Sequence, residues 1–428
     1  MQLFHSRNAL SLALSGILVM YNSHAFGVVF GASARLGVLF VGFVLVLLGA
    51  LLRARAQVFN HSLLLMVLGL YAFLLSWNSS QLNHHSFFNS LLVQVFKYIA
   101  VLLYFSGYIL ARYRPQYGSN HPPIFPAVAV LTLVMSALAV TKITSITINP
   151  SNLRNVGDDA NPIGVAYNYT ILCLTSFVVA AYARGFFLRA VSLAAALVTL
   201  FIVLLTGSRG PLIWGGLSSI LLIVINISSV KAALNRKLLV LIFLSVFLVL
   251  ALPVIAEYVA RSSVFGPRVA NLTGRMLAVF DFLSGHRDMD RALAGRFDVV
   301  SMYLESTSDW ILRGYEGYRD NPHNFLLEIF VRFGVVLGLP MFVMLILALQ
   351  VPSALIASRR SYRLPFEVNA IMILFVFAFF QSLSSLYIEI NRVFWFGAGY
   401  MIGLRHPLRP VDPTRHIFPG LQQTTQTR

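Results

Sequence analysis

Charge is scarce in this chain. Lys, Arg, Asp and Glu make up 11% of 428 residues, against 58% hydrophobic residues and a mean hydropathy of +0.77. Soluble domains carry about 25% charged residues, so composition argues against a soluble fold. Cysteine is almost absent: Cys173 stands alone in an apolar run, which rules out an internal disulfide and a cysteine-based metal site. Acids are few as well, 15 against 32 basic residues. The resulting net charge of +17 resembles the signature of a nucleic-acid binder, but the position of the charges argues against that partner. Also lacking are a Walker A loop, an HExxH pair, a Gly-x-Ser-x-Gly elbow and a dinucleotide fingerprint. No internal repeat is visible, which weakens an inverted-repeat transporter.

What the chain has is apolar runs of spanning length, near 8–30, 35–52, 60–77, 91–111, 122–141, 163–183, 186–206, 210–228, 238–257, 324–351, 367–388 and 392–405. A span needs about 20 residues, so the expected fold is all-α, a polytopic membrane protein of about twelve transmembrane helices. Residues 1–257 would hold nine spans with short loops, 258–323 a large outer loop, 324–405 three more spans, and 406–428 a disordered tail. The first run is interrupted by Tyr21-Asn22-Ser23-His24, and Ser23-His24-Ala25 resembles a signal-peptide cleavage site. An uncleaved first helix is the expectation, since the chain goes on to span many times.

Alternate loops, starting from the N-terminus, collect 17 basic residues against two acids, Glu367 and Asp412. The rest of the chain is close to neutral, with 15 basic and 13 acidic residues. This positive-inside bias puts both termini in the cytoplasm and makes the +17 a topology signal. The expected partner is the lipid bilayer, and no nucleic acid.

Residues 258–323 form the only long loop, on the outer face. Its eight basic residues, among them Arg275, Arg296, Arg313 and Arg319, balance eight acids, and every one is arginine. Arginine binds phosphate oxygens through a planar fork, whereas lysine is a point charge. A salt-bridged, partly helical cap accounts for most of these residues. Three features stand above that background. Thr206-Gly207-Ser208-Arg209-Gly210 joins the seventh and eighth spans at the outer boundary, where the glycines let backbone approach a ligand; Arg209 there can equally snorkel to lipid phosphates. Arg319-Asp320-Asn321-Pro322-His323-Asn324 leads into the tenth span, with Pro322 suited to a first helical turn and Asp320 or Asn321 to its cap. His323 at a helix N-terminus is disfavoured as imidazolium, as a general base for a hydroxyl requires; an interfacial hydrogen-bonder is the plainer reading. Third, Asn324, Glu328 and Arg332 make a polar stripe on an apolar helix, facing the interior or a cavity, and Lys97 of the fourth span lines the same cavity.

Asp288-Met289-Asp290 matches a metal and nucleotide-sugar motif, but Arg287 and Arg291 flank it as ready partners and nucleotide sugars are cytoplasmic. No metal and no cofactor are expected.

In their order and spacing, Gly207-Ser208-Arg209-Gly210, the long outer loop with Arg296, Gly314 and Gly317, then Pro322-His323-Asn324 followed by Gly334 and Gly338, resemble the O-antigen ligase/polymerase superfamily. The detailed resemblance covers about 160–340, with Arg154 and Asn161-Pro162 as a further family-like element. It implies a metal-independent, inverting glycosyl transfer from undecaprenyl diphosphate at the periplasmic face of the inner membrane. By analogy, Arg209 and Arg296 bind the diphosphate and His323 takes the acceptor proton. Arg154, Arg275, Arg319, Asn324, Glu328, Arg332 and Lys97 are the expected substrate-binding residues. The acceptor is a lipid-linked repeat unit for a polymerase and lipid A–core for a ligase, with a chain-length regulator as a further partner. Pro322-His323-Asn324-Phe325-Leu326-Leu327-Glu328 looks more like polymerase sequences, while His323-Asn324 followed by nine residues and then Gly334 resembles the ligase pattern; polymerase is the expectation and ligase the alternative. The reading from another class is a non-enzymatic flippase or transporter of a lipid-linked substrate.

Overall fold

The computed structural model describes residues 9–30, 32–53, 91–112, 128–138, 162–183, 185–206, 208–227, 291–314, 322–358, 364–384 and 391–405. Every regular element among them is a helix. In chain order these are α1 (Ala9–Phe30), α2 (Ala32–Arg53), α3 (Leu91–Arg112), α4 (Val128–Leu138), α5 (Pro162–Tyr182), α6 (Phe186–Leu205) and α7 (Arg209–Ile227). They continue as α8 (Arg291–Glu305), α9 (Thr307–Trp310), α10 (Phe325–Ser358), α11 (Phe366–Ser382) and α12 (Arg392–Arg405). The expected spans at 60–77 and 238–257 and the tail 406–428 lie outside the described residues.

The all-α expectation is met, and the count of about twelve spans is not. Among the described residues, three helices are long and apolar enough to cross a membrane: Ile163–Tyr182, Phe186–Leu204 and Gly338–Ile356. Five more apolar helices are shorter than that, including Leu36–Leu52 and Phe366–Ser382. The run 324–351 is not one straight span, because Gly334 breaks α10 with φ 65° and ψ 179°, so the apolar span begins at Gly338. By contrast, Tyr21-Asn22-Ser23-His24 does not interrupt α1. The Ser23 hydroxyl donates to the Met20 carbonyl at 2.8 Å and needs no outside partner.

Buried hydroxyls follow the same rule elsewhere. Thr170, Thr175, Ser176 and Thr199 each donate to a carbonyl one turn back, at 2.8–2.9 Å. Polar side chains satisfied within their own helix can sit in hydrocarbon.

The interior is built around α5, α11 and α12. In α12 every residue from Val393 to Leu404 is buried, and α11 is buried along nearly its whole length. Small residues let backbones meet, as they do between membrane helices. Gly399 of α12 lies on the Tyr104 carbonyl of α3, and Gly107 of α3 lies on the Phe396 carbonyl of α12, leaving no room for a Cβ on either. Gly399→Ala should therefore force α3 from α12 and cost about 1–3 kcal/mol, read as a lower thermal unfolding midpoint of the purified protein.

Outer helices expose apolar faces instead. The spanning window of α5 is 78% buried, whereas those of α6 and α10 are 33% buried. Phe186, Phe187, Val336 and Leu339 are exposed, as are Leu36, Phe40 and Leu51 of α2. Apolar surface on this scale is unusual for a soluble protein and fits contact with acyl chains.

Candidate active site

Helices α8 and α9 meet α10 beside two glycines. Tyr303 and Trp310 pack on Val331, and the Trp310 indole N–H donates to the Tyr303 carbonyl at 2.7 Å. The turn that follows runs back to back with the break in α10. The Val335 N–H donates to the Ile311 carbonyl at 2.7 Å, and the Gly314 N–H to the Trp310 carbonyl at 2.9 Å. Gly314 has φ 87° and Gly334 φ 65°, a region L side chains rarely adopt. A Cβ on Gly314 would strike the Arg332 carbonyl, and one on Gly334 the Leu312 carbonyl. This lock cuts the first part of α10, Phe325 to Phe333, away from the span and fixes it against α9.

His323 stands just before that short helix. Its φ of 52° puts a non-glycine residue in the left-handed region. Such backbone costs about 1–3 kcal/mol and concentrates at functional sites. The residue is half-buried, with Nδ1 turned to the interior. Asn324 caps the helix: its Oδ1 accepts the N–H groups of Leu326 at 3.0 Å and Leu327 at 3.1 Å, while Asp320 and Asn321 lie outside the described residues. Pro322 is buried and precedes the helix instead of starting it. Glu328 and Arg332 form an ion pair at 2.7 Å, with Glu328 fully buried and Arg332 3% exposed. Asn324, Glu328 and Arg332, expected to bind substrate, thus lie on the helix that follows His323, Asn324 as its cap and the other two as a buried pair.

That helix rests on α12. Phe325 packs against Phe394 at 4.7 Å and Trp395 at 6.4 Å between ring centroids. At the same end, buried Asn391 caps α12 through Phe394 N–H, donates to Ser382 and to the Ala378 carbonyl, and accepts the Tyr167 hydroxyl. One residue before Ser382, Gln381 meets the start of α7. Gly210 lies against the Gln381 amide and Ser384. Trp214 of α7 stacks on Phe380 at 5.0 Å and donates to Ser384 Oγ at 2.9 Å. Helix packing therefore carries the start of α7, where Arg209 stands, to the same bundle end as His323.

The remaining sequence candidates divide into two groups. Arg154, Arg275 and Arg319 lie outside the described residues. Lys97, Arg209 and Arg296 stand on the described backbones of α3, α7 and α8, and their side chains lie outside the described set. Arg296 is seven residues, two helical turns, before Tyr303. Between α8 and α9 a broad open groove of about 580 Å³ presents Asp298, Glu305 and Asp309. Three carboxylates repel a diphosphate, so this groove is not the place for one. Reading the sequence did not single out Gln381, Ser384, Asn391 or Tyr167. All are uncharged, and their only signal is a cluster of polar residues at the ends of apolar runs. Comparison with protein-family models, with curated proteins and with solved structures finds no match.

Proposed function

We propose that this chain is a multi-pass membrane glycosyltransferase of the O-antigen polymerase type. It transfers a glycan from undecaprenyl diphosphate to a lipid-linked repeat unit at the periplasmic face of the bacterial inner membrane, with both termini cytoplasmic. The observation that carries the reading is His323, a strained histidine held by a glycine-locked, asparagine-capped helix at the bundle end shared with the Arg209 turn.

The chemistry asks for three things. An acceptor hydroxyl must lose a proton as its oxygen attacks the anomeric carbon, and His323 takes it. The bond from that carbon to the phosphate oxygen breaks, and its electron pair leaves on the diphosphate. Arg209 and Arg296 stabilise the developing charge, with Arg154, Arg275, Arg319 and Lys97 as further electrostatic contacts. The polyprenyl chain needs an apolar surface, and the exposed faces of α6 and α10 supply one. Asn324, Glu328 and Arg332 act by positioning His323.

Deleting the gene and resolving the cell's lipopolysaccharide on a gel tests the reading. A polymerase defect leaves core bearing a single repeat unit and no ladder. Bare core, with polymer building up on undecaprenyl diphosphate, would make the protein a ligase. Donor trapped on the cytoplasmic face would make it a flippase.

A further inference from the structure

We propose that Gln381 binds the sugar directly attached to the diphosphate of the lipid-linked donor, with the phosphate seated at the N-terminus of α7. The inference rests on the transferase reading. Gln381 is fully buried, and neither its Nε2 nor its Oε1 has a hydrogen-bond partner among the described residues. Leaving both halves of a carboxamide unmet in a dry interior is costly. An apolar side chain of the same size would fill the space without that penalty.

The amide is aimed at a particular place. A Cβ on Gly210 would lie 3.1 Å from Nε2, 3.2 Å from Oε1 and 3.3 Å from Ser384 Oγ. The absent side chain at Gly210 thus leaves the carboxamide flush against the first turn of α7. The polar groups around it are already committed to one another. Ser384 Oγ accepts from Trp214 and donates to the Gln381 carbonyl at 3.2 Å. Ser382 Oγ donates to the Ala378 carbonyl at 2.7 Å and accepts from Asn391, whose Oδ1 receives the Tyr167 hydroxyl. None of these bonds reaches the Gln381 amide.

The chemistry of the ligand follows from what is on offer. A helix N-terminus presents N–H groups and a positive dipole end to an anion. Beside it, the carboxamide offers donors and an acceptor together. A phosphate oxygen only accepts, so it would leave Oε1 unmet. A sugar hydroxyl or acetamido group both donates and accepts, and it lies next to the phosphate in a glycosyl diphosphate. A neutral amide suits that place, because a carboxylate there would repel the phosphate.

The test uses purified full-length protein in lipid nanodiscs and two probes: undecaprenyl diphosphate, and undecaprenyl diphosphate bearing one N-acetylhexosamine. Gln381→Met keeps the volume and removes both hydrogen-bonding groups. It should weaken the sugar-bearing probe about tenfold or more, leave the bare lipid unchanged, and leave the thermal midpoint equal or higher. Gly210→Ala, which crowds the amide without removing it, should weaken the sugar-bearing probe as well. Equal weakening of both probes by Gln381→Met, weakening of neither, or a fall in its midpoint would overturn the inference alone. Wild-type protein that binds neither probe would contradict the transferase reading itself.

Discussion

Replacing His323 by alanine should lower glycan transfer by about 10²–10⁴-fold, the usual contribution of a positioned general base, while the protein still folds and binds donor. Two features make the separation of folding from activity a sharp expectation. The residue sits in left-handed backbone, a conformation that the surrounding structure has to impose. The work of holding falls to the Asn324 cap and to the lock of Gly314 and Gly334. The check is single-turnover transfer with saturating donor, together with the thermal midpoint of wild type and variant. A His323→Ala protein that transfers at the wild-type rate removes the base from the mechanism. One that loses activity and unfolds at lower temperature makes His323 a structural residue.

The second large effect concerns the pair beneath it. Glu328 and Arg332 meet at 2.7 Å in the protein interior. Two buried charges neutralise each other at little net benefit to stability, but removing one strands the other, at about 3–5 kcal/mol. Against a total stability of about 5–15 kcal/mol, Glu328→Ala or Arg332→Ala should lower the unfolding midpoint sharply. Glu328→Leu combined with Arg332→Met should recover most of the loss, since an apolar pair of similar volume fits the same space. If the double replacement is as damaging as the single ones, the pair matters through some contact other than their mutual attraction.

Much of the fold is legible in the sequence where a helix is ended by its own neighbours. The apolar runs 163–183, 186–206 and 392–405 correspond to α5, α6 and α12 within a few residues, because Pro, Gly and Arg at their ends punctuate both the hydropathy and the backbone. The break in α10 is not legible. No proline or turn signal marks Gly334, and what bends the chain there is a distant partner, the Ile311 carbonyl that receives the Val335 N–H. The cap at Asn324 is likewise not legible, since the helix starts where Phe325 meets Phe394. In the site, charged and titratable residues were conspicuous because they are rare in this chain. Gln381 and Asn391 were not, because an amide at the end of an apolar run carries no signature until the helix it faces is known.

The most direct measurement reconstitutes the full-length protein in liposomes with a lipid-linked donor and a lipid-linked acceptor, and follows free undecaprenyl diphosphate alongside glycan length. One undecaprenyl diphosphate should be released for each unit added, at a rate that chelating divalent metals does not change and that His323→Ala lowers by about 10²–10⁴-fold. Wild-type protein that carries the intact donor across the bilayer and releases no undecaprenyl diphosphate would contradict it.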